Sequence, residues 1–394
     1  MMMDDFSQTF RRFVQSEQAA GLLLLLCTIL SLTAANSSIA QPYQQIWQST
    51  LAGASIRHWI NDGLMAIFFL LIGLELEREL YSGELSSVRR ALLPIIAALG
   101  GAIAPALIHA AFNAGSPTAS GFGIPMATDI AFALGVLAVL GTRIPLSLKV
   151  FVVAFAVIDD LIAIIVIALF YTEKLSTAYL LAALAVWFAL IAINRLGRVM
   201  ALWPYLIGGV FMWAFMHQSG VHATLAGVLL AFAIPYSART DDSRSPSHRL
   251  EHVLHRPVAW LVLPAFALAN TALPLGENWL AHLLSANSLG IAAGLILGKP
   301  LGIMLACGLA LGTGCCLKPT GLGWGHLLGA GLLGGIGFTM SIFIANLAFA
   351  SSPDIADSAK LTILLASACA GLSGALWLWA LSRYAAQDRA GHIF

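Results

Sequence analysis

The sequence predicts an all-α polytopic membrane protein with about twelve spans, and three observations carry that prediction. Hydrophobic residues fill 59% of the 394 positions and charged residues only 10%, against about 25% charged in a soluble domain. Such a chain cannot coat itself with polar surface. Apolar windows close to the ~20 residues needed to cross a bilayer recur from one end to the other. The basic residues gather on one side of the topology that these windows define.

In order, the windows are 12–33, 58–80, 92–113, 121–140, 148–171, 177–194, 203–217, 220–235, 257–274, 288–311, 325–349 and 358–383. Those at 203–217 and 220–235 are short and separated only by MHQSGVH. Polar residues, Gly, Pro, Asn and Asp punctuate the intervals, as loops require. The stretch RTDDSRSPSHRLEHVLHRP (239–257) is the one plausible break between halves of what reads as a single transporter domain over 1–394. With the N-terminus in the cytoplasm, 16 of the 20 Lys and Arg fall inside, Arg57, Lys174 and Lys360 fall outside, and Lys299 falls within a span. That bias puts both termini in the cytoplasm. The only long outer loop, 35–57, has the alternation and Thr/Ile/Trp content of a short hairpin. GLLLLLCTILSLTAANSS imitates a signal-peptide core, but the polar, acid-containing segment before it is not a basic n-region. Its removal would also change the parity of the spans.

A net charge of +1 gives no electrostatic footprint for nucleic acid. Cys27, Cys307, Cys315, Cys316 and Cys369 show neither metal-ligand spacing nor a disulfide framework. No cofactor is expected; the partners are membrane lipid and whatever small ions the spans carry.

The chemistry lies in charges that a hydrocarbon interior should exclude. In AFAVIDDLIAIIVIALF (154–170) the only polar residues are Asp159 and Asp160, near the middle of a span. A charge at that depth costs about 2.5–3.5 kcal/mol on insertion scales. In FGIPMATDIAFALG (122–135), Asp129 follows Thr128 and Pro125. The proline removes a donor and opposes a regular helix. Freed carbonyls beside a hydroxyl and a carboxylate are the oxygen ligands that hard cations prefer. In GLILGKPLGIM (294–304), Lys299 stands mid-span before Pro300, and a buried ammonium needs a carboxylate partner. Gly331, Gly334, Gly335 and Gly337 interrupt a second segment. GIPMATDIAFA (123–133) and GIGFTMSIFIA (335–345) align with Asp129 opposite Ser341. Paired interruptions in corresponding halves point to the binding site of an inverted-repeat transporter.

NDGLMAIFFLLIGLELEREL (61–80), PMATDIAFALGVLAVLG (125–141), FAVIDDLIAIIVIALFYT (155–172), SGVHATLAGV (219–228), RLEHVLH (249–255), GKPLGI (298–303) and GIGFTMSIFIANLAF (335–349) together resemble the NhaA family of sodium/proton antiporters. That family is itself an instance of the architecture just described. The resemblance runs in order over about residues 5–385. It implies an NhaA-type inverted repeat of twelve helices, two of them discontinuous and crossing at mid-membrane. It implies electrogenic exchange of internal Na+ or Li+ for external H+, in a homodimer of the bacterial inner membrane joined through the outer hairpin. By the same resemblance Asp159 and Asp160 are essential, Lys299 pairs with Asp159, and Asp129 stabilises the crossing. The expected cation ligands are Asp160, Asp159 and Thr128.

At the cytoplasmic end of the second window, Glu75, Arg78 and Glu79 share one helix face at i, i+3 and i+4. RLEHVLH adds Glu251, His252 and His255, and histidine titrates near pH 6.5. The cluster reads either as a solvated, salt-bridged helix end or as a sensor of internal pH; the resemblance implies the second. Glu77 departs from relatives, which commonly carry Lys there, and His222 reads as a hydrogen-bonded core histidine. The alternatives are another secondary transporter on the same scaffold and, remotely, an intramembrane aspartyl protease using Asp129 and Asp160, whose Gly-x-Gly-Asp motif the sequence lacks.

Overall fold

A computed structural model describes residues 2–172, 175–237, 245–276, 278–316 and 318–391, and of residues 2–18, 142 and 385–391 the backbone only. Lys174, Arg239 and Arg244 of the charge count lie outside the described residues. The chain is helical almost throughout, because in lipid a helix satisfies its own backbone groups. In order the elements are α1 (Met2–Ala35), α2 (Ala40–Gln48), β1 (Thr50–Leu51), β2 (Ala54–Ser55), α3 (Ile56–Tyr81), α4 (Val88–Asn113), α5 (Ile130–Leu140), α6 (Leu146–Phe170), α7 (Thr177–Arg195), α8 (Trp203–Ser219), α9 (Leu225–Ala231), α10 (Pro246–Asn270), α11 (Trp279–Leu283), α12 (Ala286–Gly312), α13 (Trp324–Gly334), α14 (Phe338–Ala348) and α15 (Pro353–Gly391).

Eight helices among the described residues are long and apolar enough to cross a membrane, or ten when two bent pairs are each taken as one span. Those pairs are Ala19–Ala35 with α2, bent by 116°, and α13 with α14, bent by 45°. The windows 203–217 and 220–235 correspond to shorter helices, α8 of 17 residues and α9 of 7. Every window thus holds a helix, but these two do not reach spanning length.

The outer loop is only partly the expected hairpin. Its first half, AQPYQQIWQ, winds into α2. The ribbon is confined to Thr50–Ser55, where Thr50 pairs Ser55 and Leu51 pairs Ala54. Ala52 and Gly53 turn it with φ of 51° and 89°, the positive values that a two-residue hairpin turn requires. The expected break at 239–257 is also modified, since Pro246–Pro257 is helical and continues into Asn270.

The chain forms two compact units. One comprises residues 1–26, 88–163 and 275–394; the other comprises 27–87 and 164–274. In the first, α4 and α12 approach until their backbones touch. A Cβ on Gly100 would lie 2.4 Å from the Gly302 carbonyl oxygen, and one on Gly302 would lie 2.1 Å from that of Gly100. Such small-residue contacts let membrane helices pack closely. In the second, Leu70, Leu74, Tyr205, Met212, Leu230 and Ile234 join α3, α8 and α9 in a common core.

Candidate functional site

Two interrupted helical segments meet in the first unit. A 3-10 helix, Ala119–Met126, gives way to extended residues before α5 begins at Ile130. α13 ends at Gly334, and α14 resumes at Phe338. The two breaks hydrogen-bond to each other, since Asp129 N donates to Ile336 O at 2.6 Å. Each break exposes a helix N-terminus with unmet N–H groups and a C-terminal end with unmet carbonyls.

Asp129 answers both N-termini at once. Its Oδ1 accepts from Phe132 N at 3.2 Å, capping α5. Its Oδ2 accepts from Thr339 N at 3.0 Å and Thr339 Oγ1 at 2.6 Å, capping α14. A carboxylate is favoured where two positive helix ends converge. Two hydroxyls answer the carbonyl ends. Thr128 Oγ1 donates to Gly334 O at 2.8 Å, and Ser341 Oγ donates to Ile124 O at 2.7 Å. The sequence alignment set Asp129 against Ser341; the bond runs instead to Thr339, two residues earlier. Both oxygens of Asp129 are thus engaged in capping the crossing.

α6 brings Asp159 and Asp160 into the same unit, exposed by 1% and 2%. Lys299 Nζ donates to Asp159 Oδ2 at 2.6 Å, with both side chains fully buried. The ammonium also sits 5.5 Å above the Phe155 ring centre, a cation–π contact. Asp160 lies within electrostatic reach of Lys299, and Thr128 lies beside Asp159. Asp159 Oδ1 is buried and has no hydrogen-bond partner among the described residues. Thr128, Asp129, Asp159, Asp160 and Lys299 are therefore all buried in one unit. Lys299 closes a π-helical turn, Gly294–Gly298, just before Pro300, and such turns are frequent at functional positions.

The second unit assembles most of the charged cluster at the end of α3. Arg78 Nη1 bonds Glu251 Oε1, Arg78 Nη2 lies 3.4 Å from Glu79 Oε1, and His255 Nδ1 lies 3.8 Å from Glu75 Oε1. Glu79 Oε2 also accepts from Glu84 N at 3.0 Å. His252 is exposed. Glu77 is only 4% exposed and accepts from Ser247 Oγ at 3.0 Å, with Arg195 and Glu251 in electrostatic reach. His222 Nε2 donates to Tyr171 O at 2.7 Å.

The family described as Na+/H+ antiporter 1 matches residues 11–378. The chain belongs to this family. It is 61% identical to the Na+/H+ antiporter NhaA of Dechloromonas aromatica over 372 residues, covering 94% of this chain and 96% of that protein. It is 54% identical to the NhaA of Cytophaga hutchinsonii over 94% of this chain and 95% of the relative. A Flavobacterium johnsoniae protein named Na+/H+ antiporter NhaA 1 is also 54% identical, over 94% and 97%. The fold is accordingly the family's, a multi-span helical transporter and not an enzyme.

Sequence reasoning missed several buried polar residues. Thr339 shares Asp129 with two helix ends, and its signal was only a hydroxyl inside a glycine-broken span. Lys360, counted as an outer cation, is 4% exposed and bonds Asp357 at 3.0 Å within α15. His109 contacts Asn287 across α4 and α12 at 3.0 Å.

Proposed function

We propose that this chain is an electrogenic antiporter that exports Na+, or Li+, in exchange for external H+, with Asp159 and Asp160 as the exchange site and Thr128 as a further oxygen ligand. Family membership supports the exchange of sodium for protons. The observation that carries the site assignment is the fully buried Lys299–Asp159 pair beside a helix crossing whose own ends are already satisfied. Asp129, Thr128 and Ser341 serve the crossing's own helix ends, and Asp159 and Asp160 bring two further buried carboxyls into the same unit with Lys299. A hard cation seeks oxygen ligands, and the same oxygens bind protons. Two carboxyls and an ammonium this close share their protons as a coupled set.

Exchange then follows from competition. Facing the cytoplasm, a deprotonated site takes Na+; facing outward, protons displace it. Two protons returned for each Na+ exported move one net charge per cycle, which makes the exchange electrogenic. Lys299 balances the aspartates while the site is empty of cation, limiting the cost of a buried charge in either state.

The cluster at the end of α3 supplies a pH response. The Glu75–His255 ion pair needs a protonated imidazole, so it holds at acid pH and is lost as pH rises through the histidine range near 6.5. Loss of this pair removes one of the side-chain links between α3 and α10 as the cytoplasm becomes alkaline, when export is needed, while the Arg78–Glu251 and Ser247–Glu77 links remain. The buried Glu77 puts a carboxyl where the family resemblance implies Lys, which alters the charge balance of the cluster and with it the pH of activation. His252 completes the exposed side of the cluster.

The whole of 1–394 acts as one transporter domain of the bacterial inner membrane, with both termini cytoplasmic by the bias of its basic residues. The exposed β1–β2 ribbon presents unpaired strand edges, and a lone two-stranded ribbon is marginal by itself. A second copy pairing through it forms the homodimer.

The test is proton flux in everted vesicles carrying a respiration-driven pH gradient. Na+ and Li+ should dissipate the gradient at alkaline pH, K+ should not, and Asp160→Asn should abolish the effect. If no cation dissipates it with a folded wild-type protein, antiport is wrong. If Asp160→Asn transports at the wild-type rate, the site assignment is wrong.

A further inference from the structure

We propose that His58, Asp62 and His217, in the second unit, form a binding site for one divalent transition-metal ion of the zinc class. His58 and Asp62 stand one turn apart at the start of α3, and His217 lies in the last turn of α8. One ligand atom from each, His58 Nε2, Asp62 Oδ2 and His217 Nδ1, lies within 4.8 Å of the other two. Each imidazole nitrogen is 3.6 Å from the same carboxylate oxygen.

That spacing is informative. It exceeds the 2.7–3.2 Å of a nitrogen–oxygen hydrogen bond, so the carboxylate bonds neither ring directly. It lies close to the edge of a tetrahedron whose metal–ligand bonds are about 2.0–2.1 Å, which is roughly 3.4 Å. Both imidazole–carboxylate edges thus lie within a few tenths of an ångström of that value, and the imidazole–imidazole edge, at most 4.8 Å, closes by side-chain rotation onto one ion.

The scaffold holds the donors in that arrangement. Asp62 sits in a π-helical turn, Trp59–Leu64, of the kind that recurs at functional positions. Trp213 Nε1 donates to the Asp62 carbonyl at 3.1 Å, tying α8 to α3. The Trp213 ring stacks on His217 at 5.7 Å and 8°, and on Trp59 at 6.1 Å and 23°, so the orientation of the His217 ring is fixed by packing. The side chains of His58, Asp62 and His217 are 40%, 26% and 43% exposed. An ion can reach them from solvent, and water can take the fourth position.

The donor chemistry selects the class of ion. Two imidazoles and one carboxylate suit zinc and its neighbours, whereas sodium, magnesium and calcium prefer oxygen-only sets. The site is therefore not a second seat for the transported cation. A bound ion would clamp the first turn of α3 to the last turn of α8.

The test uses the full chain, purified in detergent, freed of any affinity tag and stripped of metal. Zinc is titrated against a chromophoric chelator, and cobalt is added separately as a spectroscopic probe. The expected result is one zinc per chain with micromolar or tighter affinity, and visible cobalt bands of low-coordinate geometry. Zinc should also raise the unfolding temperature. His217→Gln and His58→Gln should each weaken zinc by at least roughly tenfold and remove the cobalt bands. Because both histidines are well exposed, the metal-free variants should unfold at the wild-type temperature, which separates lost binding from lost folding. No saturable binding up to about 1 mM zinc would overturn the proposal and leave the three residues as a histidine–aspartate cluster without a metal. Binding unchanged in His217→Gln would overturn it equally.

Discussion

Replacing Asp129 by alanine removes one carboxylate that serves two helix ends. Three donors lose their acceptor: Phe132 N at 3.2 Å, Thr339 N at 3.0 Å and Thr339 Oγ1 at 2.6 Å. Asp129 is 3% exposed, so water cannot readily replace it. A buried donor left without a partner costs about 1–3 kcal/mol. The Thr339 hydroxyl can rotate to another acceptor, but the two backbone N–H groups cannot. The loss of negative charge at two N-termini adds about 0.3–1 kcal/mol for each. The sum is about 3–8 kcal/mol, a large share of the 5–15 kcal/mol that typically holds a protein folded. Asp129→Asn keeps one oxygen acceptor but turns its NH2 toward either Phe132 N–H or Thr339 N–H, so it strands one end's backbone donor as well as forfeiting the charge, about 2–5 kcal/mol in all. Thr339→Val removes only a hydroxyl donor and leaves the Thr339 N–H bond in place, costing about 1 kcal/mol. Thermal unfolding of the purified variants in detergent should rank wild type above Thr339→Val, Thr339→Val above Asp129→Asn, and Asp129→Ala lowest. If Asp129→Ala melts with Thr339→Val, the carboxylate does not hold the two ends together and the account of the crossing is wrong.

Lys299→Ala should destabilise the protein by about 3–5 kcal/mol, because it strands the buried Asp159 carboxylate; adding Asp159→Asn should restore much of the loss, and strictly additive effects in unfolding measurements would deny the pairing. Gly302→Ala should cost about 1–3 kcal/mol through overpacking against the Gly100 carbonyl, read as a lowered unfolding temperature. Glu75→Gln removes the partner of His255, so the activity–pH curve in vesicles should move to lower pH; an unchanged curve would take this pair out of the pH response. Glu77→Lys should shift the same curve, since it replaces a buried carboxyl by an ammonium beside Glu251 and Arg195, while Ser247→Ala, which removes only a hydrogen bond to Glu77, should shift it less.

The spans and the buried charges were legible because transfer cost is a property of each residue. A run of apolar side chains and an aspartate inside it announce themselves wherever they stand in the chain. The interruptions at Pro125 and at Gly334–Gly337 were legible for a similar local reason. What the sequence could not show is which group answers which. Lys299 and Asp159 are 140 residues apart, and Thr339 and Asp129 are 210 apart, and no local pattern encodes such pairings. The resemblance implied the first pairing; the second required coordinates. The burial of Lys360 was not legible because charge counting treats a cation near a span end as solvated, whereas here it is buried and bonded to Asp357. The pair His58 and His217 carries no motif, since its two donors come from helices distant in sequence and converge only through the stacked Trp59 and Trp213.

The central claim is that sodium and protons compete for Asp159 and Asp160. It is tested most directly by titrating Na+ into purified protein at alkaline pH in two buffers of different ionisation enthalpy, which counts the protons released per sodium bound. Sodium should release protons on binding, its affinity should fall as pH is lowered, and Asp160→Asn should abolish both. Sodium binding without proton release, or with equal affinity in folded Asp160→Asn, would contradict the account.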